Sequence, residues 1–219
     1  MNVTIGLVFA TRNAIQPALE AFAQYAPEAS TQLFVDEGLL PAVTKAKGVT
    51  APIMRRFASL VARAEESDVD GILFSCSVFS PCLSMLKPLY TVPLMSVDSA
   101  MLEEAAAMGG RIGVVATVEQ AETLTVEQLK EQARIQGTKV LVSSTAVPEA
   151  FACLAVKPEE HDALILAAAE KLLPQCDAFV LAQISMARAA KTVATLGKPV
   201  FTSLESSVRA MMREIDACR

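Results

Sequence analysis

The sequence has no tryptophan, a single histidine and no run of basic residues. Its formal net charge is −5, which argues against nucleic acid as a partner, because nucleic-acid binding depends on clustered lysine and arginine. With His161 as the one imidazole, a histidine-rich metal site or a cysteine–histidine nucleophile pair is hard to assemble. We therefore expect no metal centre.

Paired cysteines are missing as well. The five cysteines are an odd number, and no two of them form a CxxC pair. This pattern is typical of free thiols in a reducing compartment, so we expect a cytoplasmic protein. No apolar stretch reaches the roughly 18 residues of a membrane span. The first apolar segment, residues 3–9, lacks a charged leader and predicts a strand, so we expect neither an export signal nor a membrane partner.

The 219 residues, 53% of them hydrophobic, can bury a substantial core in one large domain or two small ones. Short apolar runs that predict strands alternate with helical patterns. The predicted strands are residues 3–9, 32–35, 71–74, 92–97, 112–117, 139–143, 178–181 and 199–203. The main predicted helices are 17–25, 53–64, 124–134, 159–173 and a last one over 208–215. Residues 39–48 show no clear period and predict a loop near the ligand.

The second half of the chain repeats the pattern of the first. Residues 177–183 match residues 70–76 in character at an offset of 107, and residues 199–203 match 93–97 at an offset of 106. Alternating strands and helices favour parallel sheets covered on both faces. We therefore expect an α/β fold of two pseudo-symmetric lobes. Each lobe is a four-stranded parallel sheet flanked by helices, with the active site between the lobes. The first lobe is residues 1–97, with the C-terminal helix 205–219 packing back on it, and the second is residues 98–204.

Cys76 is the candidate catalytic residue. It follows the buried strand 71–74, and ligands bind at such strand ends in open parallel sheets. Ser80 and Pro81 predict a helix start just beyond it, whose positive end would favour the thiolate. The alternative is that Cys76 is simply a small buried residue, since free cysteine is among the most buried types. The other four cysteines, Cys82, Cys153, Cys176 and Cys218, are interpreted as structural, and His161 as an exposed residue of an acidic helix start.

Further polar side chains follow the other strands. Thr11, Arg12 and Asn13 lie in the first loop, where they could hold a substrate carboxylate. A negatively charged intermediate needs hydrogen-bond donors, and the candidates are Ser75, Ser77, Thr117, Ser185 and Gln183. Each has a plainer interpretation. Thr117, Ser185 and Asn13 could cap helices, and Arg12 could be solvated, whereas a buried Gln183 must find polar partners and favours a role in the site.

The chain resembles the aspartate/glutamate/hydantoin racemase superfamily over nearly its whole length. The resemblance rests on Ser75-Cys-Ser77, on Ala116-Thr117 and on Leu181-Ala-Gln-Ile-Ser-Met186. It implies two α/β lobes, no cofactor, a small carboxylate-bearing substrate and one cysteine per lobe, on either side of the substrate. The family's second cysteine falls on Gln183, and its Gly-Thr-x-x-Thr motif keeps only Thr117. A homodimer would suit such a fold.

Glutamine cannot take up a proton at neutral pH, so a symmetric two-thiol racemase does not fit this sequence. One thiol and one amide suit chemistry on one face of the substrate: decarboxylation, tautomerisation or elimination. Arylmalonate decarboxylases, relatives in this superfamily, are similar in using a single cysteine. Two alternatives stay open. One is a racemase or epimerase whose second acid is Ser185 or a water. The other is a small-anion-binding protein that has lost turnover.

Overall fold

A computed structural model describes residues 3–154 and 156–219. The chain forms two compact units. The first is Met1–Ser99 together with Ser207–Arg219, and the second is Ala100–Ser206. The first unit is thus built from two separate stretches of sequence.

The first unit contains a parallel sheet in the order β2-β1-β3-β4. Its strands are β1 (Thr4–Phe9), β2 (Ser30–Val35), β3 (Gly71–Phe74) and β4 (Leu94–Ser96). Its helices are α1 (Ile15–Tyr25), α2 (Leu39–Ala46), α3 (Ala51–Glu65) and α4 (Leu83–Leu86), with short 3-10 helices at Arg12–Ala14, Ser77–Cys82 and Lys87–Leu89.

The second unit contains a parallel sheet in the order β6-β5-β7-β8. Its strands are β5 (Gly110–Ala116), β6 (Val140–Ala146), β7 (Ala178–Leu181) and β8 (Val200–Thr202). Its helices are α5 (Ser99–Met108, in this unit from Ala100 onward), α6 (Glu119–Gln136), α7 (Pro148–Cys153), α8 (Pro158–Leu172) and α9 (Ala190–Ala194), with 3-10 helices at Leu173–Gln175 and Ile184–Ala189. The last helix, α10 (Ser203–Ala217), belongs to the first unit from Ser207 onward.

The two sheets repeat one another in strand order and in register. Val8 lies beside Phe74 in the first sheet, and Val115 lies beside Leu181 in the second, each pair related by the offset of 107. Even the amino-terminal ends match, because the backbone N–H of Thr4 donates to Asp70 as that of Arg111 donates to Asp177. The expected fold class, two four-stranded parallel sheets flanked by helices, is confirmed.

The central strands are buried on both faces, which explains their unbroken apolar sequences. All four residues of β3 and all four of β7 are buried. Around β3, the ring of Phe57 stacks on Phe79 at 4.1 Å between centroids and meets Phe74 edge-on at 5.3 Å. Burying each such ring is worth about 1.5–3 kcal/mol. This aromatic cluster lies next to the strand end that carries Cys76.

Three local expectations are wrong. Residues 39–46 form helix α2, because Leu39 and Val43, one turn apart, are both buried. Ser80 and Pro81 do not start a helix but lie inside the 3-10 helix Ser77–Cys82. His161 is fully buried, since it shares the inner face of α8 with Ile165 one turn on. The expected helix end at Gly137 is confirmed, with this glycine in the left-handed conformation at a φ of 71°.

No helix in the described part of the chain combines the length and the apolar character that crossing a bilayer requires.

Candidate functional site

Cys76 lies two residues beyond the carboxyl end of β3. The sheet ladder extends one bond past the strand, where the N–H of Ser75 donates to the carbonyl of Val8 at 3.0 Å. Cys76 itself is extended, with a φ of −104°, and its carbonyl accepts from Phe79 at 3.0 Å to start the 3-10 helix. The strand and the 3-10 helix together therefore fix the backbone on both sides of the thiol.

The Cys76 thiol is protonated at neutral pH. Burial raises its pKa to about 11, a hydrogen bond from the N–H of Val78 lowers it by less, and the charge of Asp98 raises it further. The expectation that a helix start would favour the thiolate is therefore wrong. The element after Cys76 is a 3-10 helix of six residues, whose dipole is outweighed by the loss of solvent around the sulfur.

A polar cluster occupies the adjacent ends of β3 and β4. The hydroxyls of Ser80 and Ser96 are 2.5 Å apart, and the N–H of Asp98 donates to the hydroxyl of Ser96 at 3.4 Å. Asp98 is only 5% exposed, and its Oδ2 has no hydrogen-bond partner among the described residues. The buried hydroxyl of Ser75 also has none there. Burial raises the pKa of Asp98 to about 7.

Asp98 was not among the residues that the sequence singled out. The available signal was its position, since it stands two residues after a strand that neighbours β3. Phe74 and Ser96 are partners in the ladder, and Cys76 and Asp98 each follow their partner by two residues. The two ionisable side chains therefore leave the same edge of the sheet from adjacent strands.

The loop after β1 holds Thr11, Arg12 and Asn13. The Thr11 hydroxyl accepts a weak hydrogen bond from the N–H of Asn13 at 3.4 Å, so Thr11 caps the short 3-10 helix. Asn13 is exposed and does not cap α1, whose cap residue Ala14 makes no side-chain bond. Arg12 is exposed and pairs with Glu37 at 2.6 Å. Of these three, only Thr11 is partly buried beside the end of the sheet.

In the second unit, Thr117 and Gln183 are bonded to one another. Oε1 of Gln183 accepts from the Thr117 backbone at 2.7 Å and from the Thr117 hydroxyl at 2.8 Å. Because a backbone N–H can only donate, the amide oxygen must face Thr117, and Nε2 points away as a donor. Within the described residues, Nε2 makes no hydrogen bond. Thr117 is fully buried, and Gln183 is half-buried.

Helix capping does not explain Thr117 or Ser185. The residue that caps α6 is Val118, and the residue before the 3-10 helix Ile184–Ala189 is Gln183. Ser185 lies within that 3-10 helix and is half-buried, as is Ser77 in the corresponding 3-10 helix of the first unit. The structure thus brings Ser75, Cys76 and Ser77 together in the first unit and Thr117 and Gln183 in the second.

A buried contact that the sequence did not predict anchors the segment after Gln183. Nδ1 of His161 lies 2.9 Å from Asp162, and the same carboxylate accepts from Nε of Arg188 at 2.8 and 3.0 Å. Nε2 of His161 has no partner among the described residues. Helix α8 is thereby tied to the 3-10 helix Ile184–Ala189.

In residues 3–154 and 156–219, no group of three or more histidine, cysteine or acidic side chains is arranged to hold a metal ion.

Comparison with known families assigns the chain to one of them. A model of the Asp/Glu/hydantoin racemase family matches residues 10–211. The chain belongs to the Asp/Glu/hydantoin racemase family. The resemblance inferred from the motifs around Cys76, Thr117 and Gln183 is confirmed.

Solved structures with the same fold include several racemases. The aspartate racemase of Picrophilus torridus is 12% identical, with a TM-score of 0.73 over 98% of this chain and 94% of that one. A glutamate racemase from Thermus thermophilus, in complex with beta-chloro-D-alanine, is 19% identical, with a TM-score of 0.69 over 99% and 81%. The allantoin racemase of Klebsiella pneumoniae is 18% identical, with a TM-score of 0.69 over 98% and 88%. At these identities the likeness establishes the fold alone. No curated protein matches the sequence.

Proposed function

We propose that this protein is a cofactor-independent enzyme that moves a proton at the carbon next to a carboxylate, on one face of the substrate, with Cys76 as the proton donor. One observation carries the proposal. The thiol at the end of β3 is held protonated, with a pKa of about 11, while the equivalent strand end in the second unit carries the non-ionisable Gln183. A racemase of the two-thiol type needs a thiolate base and a second acid, whereas a one-face reaction needs one protonated group.

The reaction that fits a resting thiol best is decarboxylation followed by protonation. The bond from the α-carbon to one carboxylate breaks, carbon dioxide leaves, and the electron pair passes to the α-carbon and the remaining acid group as an enediolate. The Sγ–H bond of Cys76 then breaks, its proton goes to the α-carbon, and a thiolate is left. The net change consumes one proton, which solvent returns to the sulfur.

The developing enediolate needs hydrogen-bond donors that are fixed before the reaction. We assign this role to the hydroxyls of Ser75 and Ser77, on either side of Cys76. At the corresponding strand end of the second unit, the candidate donors are Nε2 of Gln183, whose amide is oriented by Thr117, and the hydroxyl of Ser185. Thr11, Arg12 and Asn13 are assigned to the substrate carboxylate, with Arg12 having to leave Glu37 to reach it.

A racemase or epimerase is the second candidate, because the chain belongs to a family described as racemases. In that reaction Cys76 would serve one face of the substrate, and a second acid that is not a cysteine would serve the other. The two candidates differ in their products, since a racemase inverts the α-carbon and releases no carbon dioxide.

The test uses the small carboxylates aspartate, glutamate and α-substituted malonates, together with the hydantoin allantoin, all in D2O. Wild type is compared with Cys76→Ala and with Cys218→Ala, which removes an exposed thiol as the matched control. We expect carbon dioxide release and a single deuterium on one face of the product, lost in Cys76→Ala and kept in Cys218→Ala. Inversion with exchange would favour the racemase. Binding without exchange in wild type, or equal turnover in Cys76→Ala, would overturn the proposal.

A further inference from the structure

Asp98 is a buried acid that the proposed reaction leaves unused. It is 5% exposed, its Oδ2 has no partner among the described residues, and it leaves the sheet edge on the strand next to that of Cys76. A buried carboxyl group without a compensating partner costs free energy, so its presence beside a reactive thiol needs an explanation.

Resting on the proposed function, we propose that Asp98 is the acid that returns the proton to Cys76 after the thiol has protonated the substrate. The O–H bond of the Asp98 carboxyl group breaks, an S–H bond forms on the thiolate, and the resulting carboxylate regains its proton from water. No co-reactant other than solvent is needed. Asp98 acts through Cys76 and does not touch the substrate.

The direction of this transfer follows from the two acidities. The pKa of Asp98 is raised to about 7 by burial, and that of Cys76 to about 11, so a proton on the carboxyl group moves downhill to the thiolate. The charge of ionised Asp98 is also one of the causes that raise the pKa of Cys76, which places the two groups within electrostatic reach of each other.

Few other titratable groups face Asp98. The elements packed against β4 are β3, the 3-10 helix Ser77–Cys82 and α4. The 3-10 helix contributes the thiol of Cys82, Cys76 directly precedes that helix, and β3 and α4 contribute no titratable side chain. On the helix that follows Asp98, the acids are Glu103 and Glu104, more than one turn on. Among the described residues no ion pair involves Asp98, and burial is the cause of its raised pKa.

The first experiment measures the titration of Cys76 and needs no substrate. The rate of alkylation by iodoacetamide is followed by peptide mapping between pH 7 and 11 in wild type, Asp98→Asn and Asp70→Asn. Asp70→Asn is the matched control, since it makes the same charge change at the opposite end of β3, where Asp70 binds Thr4. Alkylation follows the thiolate fraction. We expect Asp98→Asn to alkylate at least about threefold faster at pH 9, because a pKa lower by one is tenfold. Asp70→Asn should react as wild type does.

Equal alkylation in the two variants would overturn the proposal, whatever the outcome of the turnover experiment. Circular dichroism and the melting temperature check that Asp98→Asn is folded, and Asp98→Glu, which keeps the acid, should restore the wild-type titration.

The second experiment uses the substrate that wild type converts. If Asp98 returns the proton, kcat falls as the pH rises through about 7, where Asp98 ionises. In Asp98→Asn we expect the fall of kcat near pH 7 to disappear from the plot of kcat against pH, and the maximal kcat to be lower than in wild type. Profiles of the same shape in wild type and Asp98→Asn would overturn the relay while leaving the role of Cys76 intact. Absence of turnover in wild type would instead count against the proposed function. The alkylation result would still decide whether Asp98 influences the titration of Cys76.

Discussion

Thr117 holds one oxygen of Gln183 with two hydrogen bonds, from its backbone at 2.7 Å and from its hydroxyl at 2.8 Å. Thr117 directly follows β5, Gln183 follows the adjacent strand β7 by two residues, and the two residues lie 66 positions apart in the sequence. The pair is fixed by the sheet itself, so the orientation of the amide is decided by folding and not by a ligand.

Replacing Thr117 by valine removes the hydroxyl and keeps the backbone bond and the branched shape. We expect Thr117→Val to lower the free energy of unfolding by about 1 kcal/mol, the usual worth of one buried hydrogen bond. Urea denaturation measures it. Thr123→Val, at an exposed position of α6, is the control and should change stability by less than about 0.5 kcal/mol. Equal effects of the two substitutions would show that the hydroxyl contributes nothing.

The buried Asp98 predicts a dependence of stability on pH. Its pKa is about 7 in the folded protein and near 4 in the unfolded chain, so the unfolded state releases the proton first. The contribution of Asp98 to stability is therefore fully present below its unfolded pKa near 4 and is lost as the pH rises from there through about 7. We expect Asp98→Asn to be more stable than wild type at pH 8.5, on the order of 2–4 kcal/mol, and nearly equal to it at pH 4. Urea denaturation at both pH values tests this, and a difference that does not depend on pH would contradict it.

The surface pair of Arg111 and Asp177 predicts the opposite dependence. Hydrogen bonds from the side chain and backbone of Arg111 lower the pKa of Asp177 to about 2. Its stabilising effect is present above the unfolded value near 4 and is lost as the pH falls through about 2. We expect Asp177→Asn to melt below wild type at pH 7 and to approach it at about pH 1.5, below the folded-state pKa. Asp70→Asn should behave alike, because Thr4 lowers the pKa of Asp70 in the same way. A gap in melting temperature that stays undiminished at about pH 1.5 would disprove the ionic origin.

The contact between Asp162 and Arg188 predicts slower local opening of residues 184–189, the segment that follows Gln183. Its carboxylate receives Nε of Arg188 at 2.8 and 3.0 Å, which ties α8 to the 3-10 helix 184–189. We expect Asp162→Ala to speed amide hydrogen exchange in residues 184–189, measured by mass spectrometry. Glu170→Ala, on the exposed face of α8, is the control. If both variants protect that segment as wild type does, the contact does not hold it in place.

The strands were the most predictable part of the fold. Gly71–Phe74 and Ala178–Leu181 were predicted to the residue, because each is a short apolar run with a polar residue before it, buried on both faces. Helix α2 was missed because it is short and only Leu39 and Val43 are buried on it. His161 was misplaced because its acidic neighbours outweighed a spacing that aligns it with Ile165 on the inner face of α8.

The candidate site was predictable in position and not in chemistry. Strand ends placed Ser75, Cys76 and Thr117 correctly at the edges of their sheets, since position follows from the order of elements. The acidity of Cys76 depends on how much solvent reaches the sulfur, and a local helix-start pattern carries no such information. Asp98 was not predicted as a site residue because it raises the pKa of Cys76 from the end of an adjacent strand. Its own neighbours in sequence do not indicate that effect. The roles of these residues stay predictions.

The chain returns to its first unit at the end. Gly71 in β3 leaves room for this return, because a Cβ there would lie 2.7 Å from the sulfur of Met211 and 3.0 Å from Ile215, both on α10. During synthesis on the ribosome, residues 100–206 emerge before that cover exists. The second unit can therefore fold early. In the first unit, the side of β3 that packs against α10 stays exposed until that helix has been synthesised.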